Sequence, residues 1–317
     1  MATPSDQPNS PSPEVKDLSE EKDEGLTFGA VLGATIGNML EFYDFVTYSF
    51  FATQIGHAFF PTKSEFGSLL LSLATFGAGF VTRPIGAIVI GSYSDRAGRR
   101  PAMLLSFAMM GVAILVLAIT PSYNTIGIAA PIVVILARLT QGFSLGGEVG
   151  PTTAYLMEAA PVERRGLVVS LQPVSQQIAA TAGALVGEIL SLTMASDTLD
   201  TYGWRIAFLL GAGTLPFGLW LRRRLPETLH RIETPAIAVE NDAAAKTLRG
   251  NTRLLGLGLV ILASGTIITY VAQYMTTYAQ HTLHVDAPLA FATTAVVNGV
   301  GVVAALLGGL LADRAGR

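Results

Sequence analysis

The feature that most constrains this chain is a succession of apolar runs, each near or beyond the roughly 20 residues with which a helix crosses a bilayer core. Eight stand out, at about 27–56, 66–92, 102–120, 125–156, 166–193, 204–221, 254–281 and 287–312. In hydrocarbon a backbone must satisfy its polar groups within its own segment or in a closed barrel, so runs of this length are helices. Half of the residues are hydrophobic and 14% charged, where soluble domains carry about a quarter charged, and mean hydropathy is +0.50. A water-soluble globule is excluded, and the chain reads as an all-α, polytopic membrane protein. Several runs exceed 25 residues, which implies tilt. The 33 glycines and 16 prolines imply close helix packing and kinked helices.

The connections give orientation, because Lys and Arg concentrate in short cytoplasmic loops. Arg96, Arg99 and Arg100 fall in the second loop, and Arg164 and Arg165 in the fourth. The sixth holds Arg222, Arg223, Arg224, Arg231, Lys246, Arg249 and Arg253. The odd-numbered loops hold little that is basic, Lys63 being the clear exception and Arg205 lying at a helix edge. The N-terminus is therefore expected in the cytoplasm. Residues 1–25, rich in Pro, Ser, Glu, Asp and Lys, read as a disordered cytoplasmic tail without the apolar core of a signal peptide. Residues 26–221 read as a six-helix bundle, 222–253 as a central cytoplasmic loop, and 254–317 as the first two helices of a second bundle.

An internal repeat supports that division. Gly91-Ser-Tyr-Ser-Asp95-Arg96-Ala-Gly98-Arg99 and Gly309-Leu-Leu-Ala-Asp313-Arg314-Ala-Gly316-Arg317 share the pattern GxxxDRAGR. Each sits two helices into its own half, so six helices form one repeat, and eight of an expected twelve are present.

The chemistry of catalysis is missing. There are no cysteines and four histidines, His57, His230, His281 and His284, without ligand spacing inside an apolar helix, and neither HExxH nor GxSxG occurs. No metal, no cofactor and no enzymatic activity are expected. The formal charge of −3 comes partly from the acidic tail and implies no nucleic-acid partner.

Charges inside the apolar runs need an explanation, since each costs several kcal/mol in hydrocarbon unless it faces water or a partner. In the first run Asn38, Glu41, Asp44 and Tyr48 share one helix face. In the fourth, Arg138, Gln141, Glu148, Thr152 and Tyr155 do the same, and the second supplies Arg83. Two inward stripes and a central arginine describe a polar cavity. Arg83 and Arg138 offer planar forked donors that match a carboxylate, which makes them, with Gln141, Tyr48, Asn38 and Gln273 of the seventh run, candidate substrate-binding residues. Asp44, Glu41 and Glu148 are the candidate proton-coupling groups, because carboxyls near arginine can bind or lose a proton as substrate comes and goes. Two alternatives stay open. Glu41 and Asp44 could form a fixed network with Arg83 or Arg138, and Glu148 could pair with a loop arginine. Gln273 belongs to a hydroxyl- and amide-rich stretch that serves equally as helix–helix glue. Trp204 and Trp220 read as interfacial anchors. The repeated motif reads as a gate: Gly91 and Gly98 allow close approach, while Asp95, Arg96, Arg99, Asp313 and Arg314 are placed to hold one cavity mouth closed.

The first GxxxDRAGR, extended through Arg100, resembles the motif between the second and third helices of the major facilitator superfamily. Further stretches resemble its metabolite:proton symporter branch: Gly37-Asn38-Met-Leu-Glu41-Phe-Tyr-Asp44, Arg83-Pro84-Ile-Gly86, Arg138-Leu-Thr-Gln141-Gly142, Gly146-Gly147-Glu148, Glu158-Ala-Ala-Pro161-Val-Glu-Arg164-Arg165-Gly166, Tyr202-Gly203-Trp204-Arg205 and Leu225-Pro226-Glu227-Thr228. Together they cover the N-terminal half. The resemblance implies the major facilitator fold and a multi-pass carrier of the inner (plasma) membrane, monomeric when full length. It implies symport of a small organic acid with protons by alternating access, the acid a di- or tricarboxylate such as citrate or 2-oxoglutarate. It also implies a proton-coupling role for Arg138 and Gln141, and a gating partner for Asp95 near the eleventh helix. The branch includes carriers of proline and betaine, which leaves zwitterion symport as the alternative. A non-transporting fragment is a third reading.

Overall fold

A computed structural model describes residues 28–225 and 252–315. The N-terminal tail, most of the central connector, Pro226 to Thr228 and the last two residues of the second motif lie outside the described residues. Every regular element among the described residues is helical: α1 (Phe28–Phe50), α2 (Ala52–Phe59), α3 (Glu65–Ala97), α4 (Arg99–Ile119), α5 (Tyr123–Ile126), α6 (Ala129–Ala159), α7 (Arg165–Thr193), α8 (Ser196–Thr198), α9 (Trp204–Gly213), α10 (Leu215–Arg223), α11 (Thr252–His281) and α12 (Ala287–Ala315). Helices α3, α4, α6, α11 and α12, and the α8–α10 stretch, give six segments long and apolar enough to span a membrane. Helices α1 and α7 have the length, 23 and 29 residues, but dilute their apolarity with buried Asn38, Glu41 and Asp44, and with Gln172 and Ser175.

Three local features depart from uninterrupted helices. The first run breaks at Phe51 (φ −105°, ψ 24°) into α1 and α2. The sixth breaks at Thr214, whose N–H and hydroxyl both return to the Gly211 carbonyl (2.9 and 2.6 Å); Pro216, lacking an N–H, restarts the helix at a first-turn position where none is needed. The first GxxxDRAGR is not a loop. It continues α3 to Ala97 and enters α4 at Arg99, and Gly98 alone turns the chain, at φ 114°, a conformation open to glycine.

The interior is aromatic and small by turns. Phe45, Phe50, Phe51, Phe59, Phe107 and Phe208 are essentially fully buried, while Val81, Ile88, Ile261 and Ile268 are about 70% exposed, as side chains facing lipid should be. Trp204 corrects an expectation. It is wholly buried, edge-on to Phe59 at 5.3 Å and Phe208 at 6.3 Å, at the start of α9 directly after the π-helical turn Leu199–Gly203. Trp220 stays half exposed, stacked on Phe217 at 5.9 Å and under Arg224, as an interfacial ring would be.

Candidate functional site: two central arginines and a buried carboxyl cluster

Helices α3 and α6 meet backbone to backbone. A Cβ on Gly142 would lie 1.8 Å from the Gly79 carbonyl oxygen, and one on Gly146 would lie 2.1 Å from that of Arg83. The Thr82 hydroxyl donates across this seam to the Leu139 carbonyl at 2.8 Å. With no Cβ between the backbones at these glycines, Arg83 and Arg138 project from a closely packed pair. Arg138 is fully buried, with its guanidinium 4.3 Å from the Tyr48 ring centroid, 4.8 Å from Phe76 and 5.0 Å from Phe45. It donates through Nη1 to Gln141 Oε1, while Nε and Nη2 have no partner. Arg83 is half-buried, 4.0 Å over Phe80 and 4.7 Å over Phe45. Its Nη2 donates to the Tyr270 hydroxyl at 3.0 Å, and its Nε is unpartnered. Phe45 thus lies against both guanidiniums. Neither arginine has a carboxylate partner among the described residues.

Beside Arg83 opens a cavity of about 490 Å³ walled by α7 (Pro173, Gln176, Gln177) and α11 (Thr269, Tyr270, Gln273). The Gln273 side-chain oxygen is buried and unpartnered. Tyr270 separates this cavity from an apolar one of about 460 Å³ lined by Ser49, Phe76, Phe80 and Tyr274, and its ring sits edge-on to Phe80 at 4.7 Å. Helix α11 is tied to α1 by the Thr277 hydroxyl donating to the Ser49 carbonyl at 2.8 Å.

The polar stripes do not converge on one cavity. Each residue of the α1 stripe is buried toward a different neighbour. Asn38 donates to Ser175 Oγ on α7 at 2.6 Å. Glu41 faces α6 and α10. Asp44 Oδ1, without a hydrogen-bond partner, lies where a Cβ on Gly211 of α9 would be, 1.7 Å away. The Tyr48 hydroxyl reaches Ser72 on α3 at 3.3 Å to the carbonyl. The α6 stripe splits likewise: Arg138 and Gln141 join the aromatic site, and Glu148 and Thr152 join a second one. The physical reason is pitch. Seven to ten residues along a helix is two to three turns, enough to pass from one neighbouring helix to the next in a tilted bundle.

That second site centres on Arg222. It was expected in a loop, yet it stands in the last turn of α10 and is 1% exposed. Its Nη2 contacts Glu148 Oε1 at 2.5 Å and Glu41 Oε2 at 3.5 Å, and its Nη1 donates to the Met103 carbonyl at 2.7 Å. Glu148 pairs with this helical arginine; Glu41 pairs with it too, rather than with Arg83 or Arg138. Arg222 falls four residues after Gly218, on the buried face of α10, a placement that the structure and not the sequence reveals.

The two copies of the repeated motif are placed differently. Asp313 accepts from the N–H groups of Gly166 and Leu167 at 2.7 and 2.8 Å, closing the N-terminus of α7. A Cβ on Gly309 would lie 2.5 Å from Ser170 Oγ. Asp95 pairs with Arg99 at 2.6 Å on an exposed surface, and a Cβ on Gly91 would meet nothing within 4 Å. Arg96 and Arg314 are exposed.

The fold and these sites define a polytopic helical membrane protein with fixed internal charge. Residues 34–317 match the family model described as Major Facilitator Superfamily. The citrate-proton symporter of Salmonella typhi is 41% identical over 298 residues, covering 92% of this chain and 67% of that protein. The alpha-ketoglutarate permease of Escherichia coli (strain K12) is 38% identical over 289 residues, covering 91% and 66%. The xylose transporter XylE from E. coli, in a partially occluded inward-open conformation, superposes with a TM-score of 0.70 at 19% identity, covering 92% of this chain and 74% of that one, a likeness of fold. The chain belongs to the Major Facilitator Superfamily, and these relatives are transporters, not enzymes. It spans about two thirds of the length of the curated relatives it matches.

Proposed function

We propose that this protein is a proton-coupled symporter that takes up a small organic acid, a di- or tricarboxylate such as citrate or 2-oxoglutarate, by alternating access. The carrying observation is a pair of guanidiniums, Arg83 and Arg138, held by aromatic rings with unpartnered donors and no carboxylate beside them. A buried cation without a counter-ion is costly, and an anionic substrate with two or more carboxylates supplies the missing charge bidentately. The names of the two curated relatives support the same substrate class. Gln273 and Tyr270 would read the substrate from α11, with Gln141 and Tyr48 fixing Arg138; Asn38, bonded into α7, acts as a helix tie. Buried Asp44 and the neighbouring Glu41 and Glu148 would be the proton-coupling groups. A membrane potential of about 100 mV adds roughly 2.3 kcal/mol per net charge moved inward.

In this reading the protein sits in the inner membrane as a monomer with a cytoplasmic N-terminus, residues 26–221 and 254–317 contributing six and two spans of a twelve-span carrier. Uptake into proteoliposomes of labelled citrate, 2-oxoglutarate, shikimate, proline and betaine, with and without an imposed pH gradient, tests it. Accumulation of the carboxylates, driven by an inward proton gradient, is expected; uptake confined to proline and betaine overturns the carboxylate assignment.

A further inference from the structure

We propose that Arg222, Glu41 and Glu148 form a one-proton site in which Glu148 stays a carboxylate, Glu41 carries the proton, and Arg222 is the positioning residue that keeps those roles apart. The proposal rests on the symport reading and places one of its protons, apart from that of Asp44, on a single side chain.

Charge comes first. All three side chains are at most 1% exposed, and two carboxylates against one guanidinium would leave a net negative charge sealed in the bundle. Such a charge is strongly unfavourable, and the cluster relieves it by holding one proton. Among the described residues no second cation is paired with it. The remaining acid of α1, Asp44, turns to α9 and Gly211. From α4 come the Met103 carbonyl and Ser106, from α6 Ser144 and Thr152, all neutral.

Hydrogen counting then says which carboxyl holds the proton. Glu148 is served as an anion: Oε1 accepts from Arg222 Nη2 at 2.5 Å and Thr152 Oγ1 at 2.9 Å, and Oε2 accepts from Ser106 Oγ at 2.5 Å. Glu41 is not. Its Oε2 has no hydrogen bond and only the 3.5 Å contact to Arg222. Its Oε1 lies 3.3 Å from Ser144 Oγ, but the single hydrogen of that hydroxyl is committed to the Ser106 carbonyl at 2.5 Å. Ser144 therefore turns a lone pair toward Glu41, and the bond between them needs a hydrogen on the glutamic acid. Releasing that proton requires the guanidinium to slide from Glu148 toward Glu41, or water to enter. Gly37 makes room for the guanidinium where it stands, since a Cβ there would sit 2.5 Å from Arg222 Nε.

Infrared difference spectroscopy of the purified protein, following the C=O stretch of protonated carboxyls at neutral pH in an Asp44→Asn background, reads the site without any transport. Glu41→Gln is expected to remove one protonated-carboxyl band. Glu148→Gln is expected to remove the same band, because Glu41 then becomes the sole counter-ion of Arg222 and ionises. Arg222→Gln is expected to add a second band; if that variant does not fold, Arg222→Lys, which keeps the charge, is expected to retain one. A band that survives Glu41→Gln, or that persists in Glu148→Gln, overturns the proposal. If the spectra behave as expected while the protein with Asp44 restored takes up no citrate under an inward proton gradient, the proton site stands and the symport reading fails.

Discussion

Replacing Asp313 by Asn should loosen the contact between α12 and the start of α7 by an amount that can be worked out. The carboxylate accepts two backbone N–H groups at 2.7 and 2.8 Å. Hydrogen bonds to a charged group contribute about 1.5–3 kcal/mol each and neutral ones about half of that. An amide of the same shape keeps one oxygen and presents its NH₂ to the second donor. Taking the low end, because the site is only partly buried, the loss is about 2 kcal/mol, or roughly a 30-fold shift toward a state in which α12 and the start of α7 have parted. The chain has no cysteine, so a single Ser170→Cys, placed where α12 presses on α7 at Gly309, reports opening cleanly through its rate of maleimide labelling. Asp313→Asn should raise that rate roughly 30-fold. Gly166→Ala should raise it as well, since its Cβ would stand 2.6 Å from Asp313 Oδ1 and 2.8 Å from the Gly309 carbonyl oxygen. Labelling within twofold of the parent in both variants would refute the view that Asp313 holds these helices together.

Three further outcomes follow from the same geometry. Arg138→Lys keeps the charge but loses the fork and the ring contacts, so citrate binding measured by calorimetry should weaken about 10- to 100-fold, the worth of one charge-assisted bond, and unchanged affinity would place the substrate elsewhere. Asp44→Asn should preserve substrate exchange while abolishing accumulation driven by a pH gradient; normal accumulation would remove Asp44 from the coupling path. Trp204→Ala empties a wholly buried site and should cost about 3–5 kcal/mol, visible as a large fall in Tm in detergent, whereas an interfacial ring would cost far less.

The helical class, the membrane environment and the family were legible because bilayer thickness imposes run length and the motifs carry their own spacing. Burial was legible too: Asn38, Glu41, Asp44, Arg138, Gln141 and Glu148 are all at most 1% exposed, as the cost of charge in hydrocarbon demands. Which neighbour each would face was not. A shared helix face fixes direction relative to its own axis, while tilt and the local order of helices decide that Glu41 meets α10 and Asp44 meets α9. Arg222 escaped notice because three consecutive arginines read as the positive flank of a span. Only the one-sided burial of α10 singles out the first of them. Trp204 belongs with Arg222, since hydropathy near a helix end does not say whether a ring faces lipid or the rings of neighbouring helices.

The seam between α7 and α12 touches at three heights. Gly166 meets Asp313 and Gly309 at one end, a Cβ on Gly301 would sit 2.9 Å from the Gln177 side chain in the middle, and one on Gly187 would sit 2.4 Å from the Phe291 ring at the other end. Two stiff rods in contact at three points cannot part at both ends together while the middle holds. Parting one end of the pair while the middle holds would press the other, with Gln177 and Gly301 as the fulcrum. A methyl group added at Gly166 and one added at Gly187 should then tip it in opposite directions, and the variant carrying both should return toward balance at the expense of stability.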